Sequence, residues 1–207
     1  AMRSIGGQLR QAGSLFLNPD PIGGASTDPF SAVVFETDAK ADSEDGISFE
    51  QANTIQSDTT SGGLSTSFRR YKDPVYAAND TVTLARNCVG GPSDLSTTNK
   101  DGKVITNKDE AVQSLFSFDS DKNELRCNGN GSGNQPIIQN VAQFQVTYAE
   151  QVVDAAGSTV KYVDTAGVTD WRSVQGVQVC MVLYGSESIN MPSGSQYTDC
   201  TNTKVDM

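Results

Sequence analysis

Two alternating segments, separated by a hairpin and a tryptophan-bearing connection, limit this chain more than anything else in it. In Asn140–Ser186, the residues Ala142, Phe144, Val146 and Tyr148 point one way and Gln143, Gln145 and Thr147 the other. A period of two with one apolar face marks a half-buried β-strand. Near the end of the stretch, Val177, Val179, Met181 and Leu183 alternate with Gln178, Cys180, Val182 and Tyr184. The less polar second face predicts a place near the sheet centre or beneath a covering loop. Between the two lies Ala155-Ala156-Gly157-Ser158, a turn joining Val152-Val153 to Val160–Tyr162 as a hairpin. Phe144, Val146, Tyr148, Val177, Val179, Met181 and Leu183 are therefore the expected sheet core, with Trp171, the single tryptophan, anchoring the connecting segment on it. A ligand-stacking role for Trp171 is the alternative.

The 207 residues suffice for one domain with a sizeable core. The net charge of -10 leaves no basic stripe for nucleic acid, although Arg69, Arg70 and Lys72 form a small basic cluster. The chain contains no histidine, which removes Ser-His-Asp and Cys-His catalysis. No pair of carboxylates is singled out by spacing for glycoside hydrolysis, and no cofactor is called for. Asp119-x-Asp121-x-Asn123 imitates the start of an EF-hand loop, but Glu124 and Asn130 stand where that loop needs Gly and Glu. A turn between strands accounts for the same residues. The acidic run Asp38–Gly46 reads as a solvated loop, and Asn79-Asp80-Thr81 matches a glycosylation triplet without further support.

Cys88, Cys127, Cys180 and Cys200 form an even set with no closely spaced pair and no histidine, so disulfides in an oxidising compartment fit better than zinc. Three connectivities are open. Cys88–Cys127 with Cys180–Cys200 is preferred, because each pair closes a Gly/Ser-rich excursion, and the second pins the C-terminal tail.

At the N-terminus, Met2, Ile5, Leu9, Ala12 and Phe16 recur at helical spacing. The helix is expected to stop at Asn18-Pro19. Its glycines Gly6, Gly7 and Gly13 cost about 1 kcal/mol each relative to alanine, so it needs a neighbour. The chain opens as though already inside this helix, which suggests a longer apolar helix upstream. Further strands are expected at Ser31–Thr37, Asp80–Arg86, Ala111–Phe118 and Asn123–Cys127. Asn53–Ser67 reads as a long surface loop with at most an irregular strand, Asn128–Asn134 as a turn, and Glu187–Met207 as an irregular tail.

These features, in this order, carry a family resemblance. GGQLRQAGSLF (Gly6–Phe16) resembles the end of the long first helix in PilW-family minor pilins of type IV pili. DTVTLAR, the Cys88–Gly90 element, LRCNGNGSG (Leu125–Gly133), NVAQFQVTYAEQ and TDWRSVQGVQVCMVLYGS follow in similar order. Pro19–Asn79 has no counterpart, and Gln175 and Gln178 replace frequently basic positions. The resemblance implies an α+β, pilin-like fold: an N-terminal helix on an antiparallel sheet with long loops and two disulfides. Residues 1–17 would be the C-terminal half of the pilin helix and 18–207 the β-rich head.

It further implies a non-enzymatic assembly role with other minor pilins and the major pilin, priming pilus assembly from a possible tip position. Such proteins serve adhesion and twitching motility. An upstream apolar helix would hold the head in the periplasm at the inner membrane before its transfer into the fibre. Met2, Ile5, Leu9 and Phe16 would then form the packing and assembly face. The alternatives are a J-type minor pseudopilin of type II secretion, a secreted adhesin or binding module, and an acidic metal enzyme using Asp119 and Asp121. Each disulfide contributes on the order of 2–4 kcal/mol. Reductant is therefore expected to lower the melting temperature, and an unchanged calorimetric melt would count against the staple role.

Overall fold

The computed structural model describes residues 2–14, 16–18, 34–36, 54–57, 62–69, 86–91, 97–98, 104–105, 111–155 and 157–207. In chain order, α1 (Met2–Gln11) precedes β1 (Phe16–Asn18), β2 (Val34–Glu36), β3 (Ile55–Gln56), β4 (Leu64–Arg69), β5 (Thr97–Thr98) and β6 (Val104–Ile105). The C-terminal half supplies β7 (Ala111–Asp119), β8 (Glu124–Gly129), β9 (Asn134–Gln139), β10 (Val141–Asp154) and β11 (Gly157–Val163). Then come β12 (Val174–Leu183), β13 (Gln196–Thr198) and β14 (Lys204–Asp206). The described chain is mostly antiparallel sheet with one short helix and two disulfides.

A five-stranded sheet ordered β3-β4-β7-β8-β9 and a three-stranded sheet ordered β11-β10-β12 carry the architecture. Three asparagines in left-handed backbone conformation, Asn123, Asn130 and Asn140, turn the chain through β7, β8, β9 and β10. Asparagine tolerates that region better than other non-glycine residues, so these turns follow from the sequence. Pro136 lies on β9, an outer strand, where its missing N–H costs no ladder bond. At Asn140 the chain passes from one sheet to the other. The N–H of Val141 there donates to Asn123 O at 2.9 Å, and the Tyr184 N–H donates to Asn140 O at 3.0 Å.

The core lies where the sheets meet and includes Leu64, Phe116, Leu125, Val141, Val146 and Tyr148. Ile5 of α1 belongs to the same buried cluster, with Leu9 partly buried against it. A polar chain also ties α1 to this region. The Cys88 N–H donates to Ser114 Oγ at 3.0 Å, and that hydroxyl donates to Gln8 Oε1 at 2.9 Å. Gln8 Nε2 in turn donates to Arg86 O at 2.9 Å. Buried polar groups are costly unless bonded, and Gln8 uses both ends of its amide.

The helix is shorter than its apolar spacing predicts. It ends at Gln11, and Gly13 follows with φ 77°. Its N–H donates to Ser67 O at 2.9 Å, and a Cβ there would come within 2.9 Å of Thr54 Cγ2. Both constraints select glycine and turn the chain into β1. Phe16 thus belongs to a strand and not to the helical stripe.

Other expectations also need correction. The described residues of Asn53–Ser67 (54–57 and 62–67) do not form a surface loop: they contain β3 and much of β4, and Leu64–Phe68 is buried throughout, while the rest of the span lies outside the described residues. Its serines and threonine hid a strand whose Leu64, Thr66 and Phe68 alternate in register with Phe116, Ser114 and Val112. The tail is not wholly irregular, because β13 and β14 pair as a hairpin. Expected strand 31–37 contains β2, whereas Asp38–Gly46, Asp80–Ala85 and the Asn79–Thr81 triplet lie outside the described residues.

In the central segment, β10 is the middle strand and β12 an edge. A register shift between Val141 and Gln143 puts Val141 in the core and exposes Ala142, reversing the alternation expected there. Leu183, opposite Val141 at the end of β12, is 52% exposed and is not a core residue. The last position of an edge strand has too few neighbours to cover it.

The buried glycine of β8 is fixed by contact. A Cβ on Gly129 would come within 2.4 Å of the Asn87 side-chain amide. That amide accepts from the N–H groups of Val89 and Gly91 and donates to Asn130 Oδ1. Gly129→Ala must displace Asn87 and is expected to destabilise the domain by about 1–3 kcal/mol in chemical denaturation. A change within error would show that the loop at Asn87 yields freely.

Candidate functional site

The residues with chemistry to offer converge on the three-stranded sheet and the strap Asp164–Val174 that crosses one face of it. On that face, Phe144, Val146, Tyr148 and Glu150 of β10 stand in one row. The first three lie opposite Met181, Val179 and Val177 of β12. Val146 and Tyr148 are buried, while Phe144, Val177, Val179, Met181 and Trp171 are partly buried against the core. Tyr148 donates its hydroxyl to Gly63 O at 3.3 Å, and burial pushes its phenol pKa above the ordinary value. Trp171 meets the Tyr148 ring edge-on, with centroids 4.9 Å apart and planes at 86°. That geometry is favourable for an aromatic pair and engages the tryptophan within the fold.

The strap is two short 3-10 turns, each started by an aspartate. Asp164 Oδ1 accepts from the Gly167 N–H at 3.0 Å, and Asp170 Oδ1 from the Arg172 N–H at 3.0 Å. Asp170 also takes Arg172 Nε and Nη2 at 3.0 and 3.1 Å, which lowers the carboxyl's pKa. Ser57 Oγ and Thr165 Oγ1, 2.9 Å apart, join the strap to the segment after β3.

Glu150 holds the strap's centre and was not apparent from residue type alone. It is 2% exposed, and its Oε1 accepts from Thr169 Oγ1, the Asp170 N–H and the Thr169 N–H at 2.6, 2.7 and 2.9 Å. The Thr169 hydroxyl is the main cause holding its carboxyl below the ordinary 4.5, followed by the Asp170 N–H. Burial opposes the shift, and Lys161 assists it weakly. The available signal was its phase: an acid two residues beyond Tyr148 falls on the buried face.

The opposite face carries the second disulfide. Cys180 is bonded to Cys200, and Cys88 to Cys127, the preferred pairing of the three. The Cys200 N–H donates to Gln143 Oε1 at 3.0 Å, seating the turn between β13 and β14 beside β10. Asp199 organises that turn by accepting from Thr203 N–H, Thr201 N–H and Thr201 Oγ1 at 2.8–2.9 Å. Those bonds, the Thr203 N–H first, lower its pKa.

The remaining predicted residues are dispersed. Met2 is 53% exposed, whereas Ile5 is buried in the chain's own core. Asp119 accepts from the Lys122 N–H and pairs with Lys122 and Arg126 at 3.5 and 4.0 Å. Its carboxylate thus works within the turn joining β7 to β8. Gln175 and Gln178 are exposed. Among the described residues, no group of three or more Asp, Glu and Cys side chains is arranged to hold a metal, and no helix is long and apolar enough to cross a membrane.

A family model described as Type IV Pilus-assembly protein W matches residues 104–207. The match spans β6 to β14 and so includes the three-stranded sheet, its strap and both halves of the C-terminal hairpin. Comparison with curated proteins and with solved structures returned no match.

Because Glu150 has a folded-state pKa below its unfolded value, its contribution is present above that unfolded value and is lost as pH falls through the folded pKa. Acidification below about 4.5 should therefore loosen the strap and change the emission of Trp171, the only tryptophan. Glu150→Gln should remove that step while lowering stability at neutral pH. An acid transition of Trp171 emission that persists unchanged in the variant would assign it to other carboxylates.

Proposed function

The chain belongs to the PilW family of type IV pilus-assembly proteins, and from that premise we propose that it is a minor pilin acting as a structural subunit. The family match over residues 104–207 is the observation that carries the reading. In this reading the protein works without catalysis, and its head selects neighbours by the shape and edges of its sheets. It helps prime fibre assembly with other minor pilins and the major pilin, and takes a place at the fibre tip.

The proposal divides the chain into an N-terminal part, 1–17, whose helix is α1 (Met2–Gln11), and a head, 18–207. It also places an apolar helix upstream, by which the protein resides in the inner membrane with a periplasmic head before assembly. Ile5 then holds the helix to the head, and exposed Met2 is available to a neighbouring helix. Ile5 and Gln8 support this arrangement, since both are buried where α1 meets the described core. The buried Glu150 strap and the two disulfides suit a rigid head outside the cytoplasm, where thiols remain oxidised.

Deleting the gene should abolish or sharply reduce surface pili, with restoration by the wild-type chain. Affinity isolation from membranes should recover other pilin subunits. Normal piliation combined with a defect in protein secretion would replace this reading with the pseudopilin one.

A further inference from the structure

The three-stranded sheet ends on β11, a seven-residue strand paired with β10 on one side and with no strand on the other among the described residues. Pairing starts at Asp154 and Gly157, across a two-residue turn. In an antiparallel ladder that begins this way, alternate residues turn their backbone groups outward. Ser158, Val160 and Tyr162 therefore present N–H and C=O groups to the open edge. The same three residues share the sheet face that lies away from the core, because Tyr148 pairs with Val163 and Ala149 with Tyr162. Val153, opposite Ser158, lies on that face too. Val153, Val160 and Tyr162 are 74%, 53% and 70% exposed.

We propose that β11 pairs antiparallel with β11 of a second copy of this chain, about a twofold axis at Val160. The strand's own sequence selects this occupant. With Val160 opposite Val160 of the other copy, Ser158 falls opposite Tyr162 and Gly157 opposite Val163. The outward backbone groups of Ser158, Val160 and Tyr162 then meet their counterparts in register. Ser158, which is small, lies between Val153 and the incoming Tyr162 ring, so the ring can extend across it toward Val153. One symmetric pairing thus covers all three exposed apolar side chains. Lys161, the only charged residue of β11, comes opposite Thr159 and not opposite itself. The join makes a continuous six-stranded sheet from two three-stranded ones. With a net charge of -10 on each copy, the association strengthens as salt screens their repulsion. The pairing requires nothing from the pilus reading, and its failure would leave that reading intact.

Sedimentation equilibrium of the 207-residue chain, up to about 1 mM, should show the mass rising toward that of two chains. The association should be stronger at about 0.15 M salt than at 0.01 M. Hydrogen exchange should show the amides of Ser158, Val160 and Tyr162 gaining protection as concentration rises. Val160→Pro, which removes one outward N–H at an edge position, should yield a folded monomer with unchanged Trp171 emission. Tyr162→Ser should weaken association while leaving the backbone donors in place, and it decides the matter if the proline variant misfolds. A chain that stays monomeric at the highest concentration overturns the proposal. So does a dimer in which those three amides exchange as freely as in the monomer, or one unaffected by Tyr162→Ser. Capture of the edge by another pilus-assembly protein, with this chain alone remaining monomeric, would also overturn it.

Discussion

Burial of Tyr148 is the contact on which the arrangement of this protein depends. Its ring sits in the cluster that joins the sheets, its hydroxyl reaches the carbonyl of Gly63 before β4, and its edge-on partner Trp171 belongs to the strap. One side chain therefore connects β10, the five-stranded sheet and the crossing segment. A phenol can do this because it supplies a large apolar surface together with one polar end that must find an acceptor. A phenylalanine would fill the space and leave Gly63 O without that donor.

The second sheet was legible in the chain because alternation is a direct physical consequence of the pleat. Val146 and Tyr148 point inward, and the strands flanking Gly157 meet as a hairpin. What alternation could not show was where its phase changes. The shift at Val141 and Gln143 follows from joining two sheets at Asn140, a tertiary demand with no local trace. The phase from Tyr148 onward did carry an unused message: Glu150 falls on the inner face, where an acid requires dedicated donors.

Composition misled most where small hydroxyl residues do the work of apolar ones. Ser65, Thr66 and Ser67 read as loop yet lie buried in β4. They are small enough for close approach, and Ser65 receives a bond from Gln113 Nε2 at 3.3 Å. The helical stripe was overextended for a related reason. Phe16 continues the spacing numerically, but the close approach of Gly13 to Thr54 diverts the backbone first. Periodicity records what a segment could bury, whereas the contact at Gly13 determines how far the segment continues.

The bond between Cys180 and Cys200 also sets a path for mechanical load. A pull on Met207 passes along β14 to Cys200 and enters β12 through sulfur, bypassing the backbone between them. The loop between the two sulfurs is thereby bridged, and load reaching Cys200 has a covalent route into β12 beside the hydrogen bonds by which β13 holds β14.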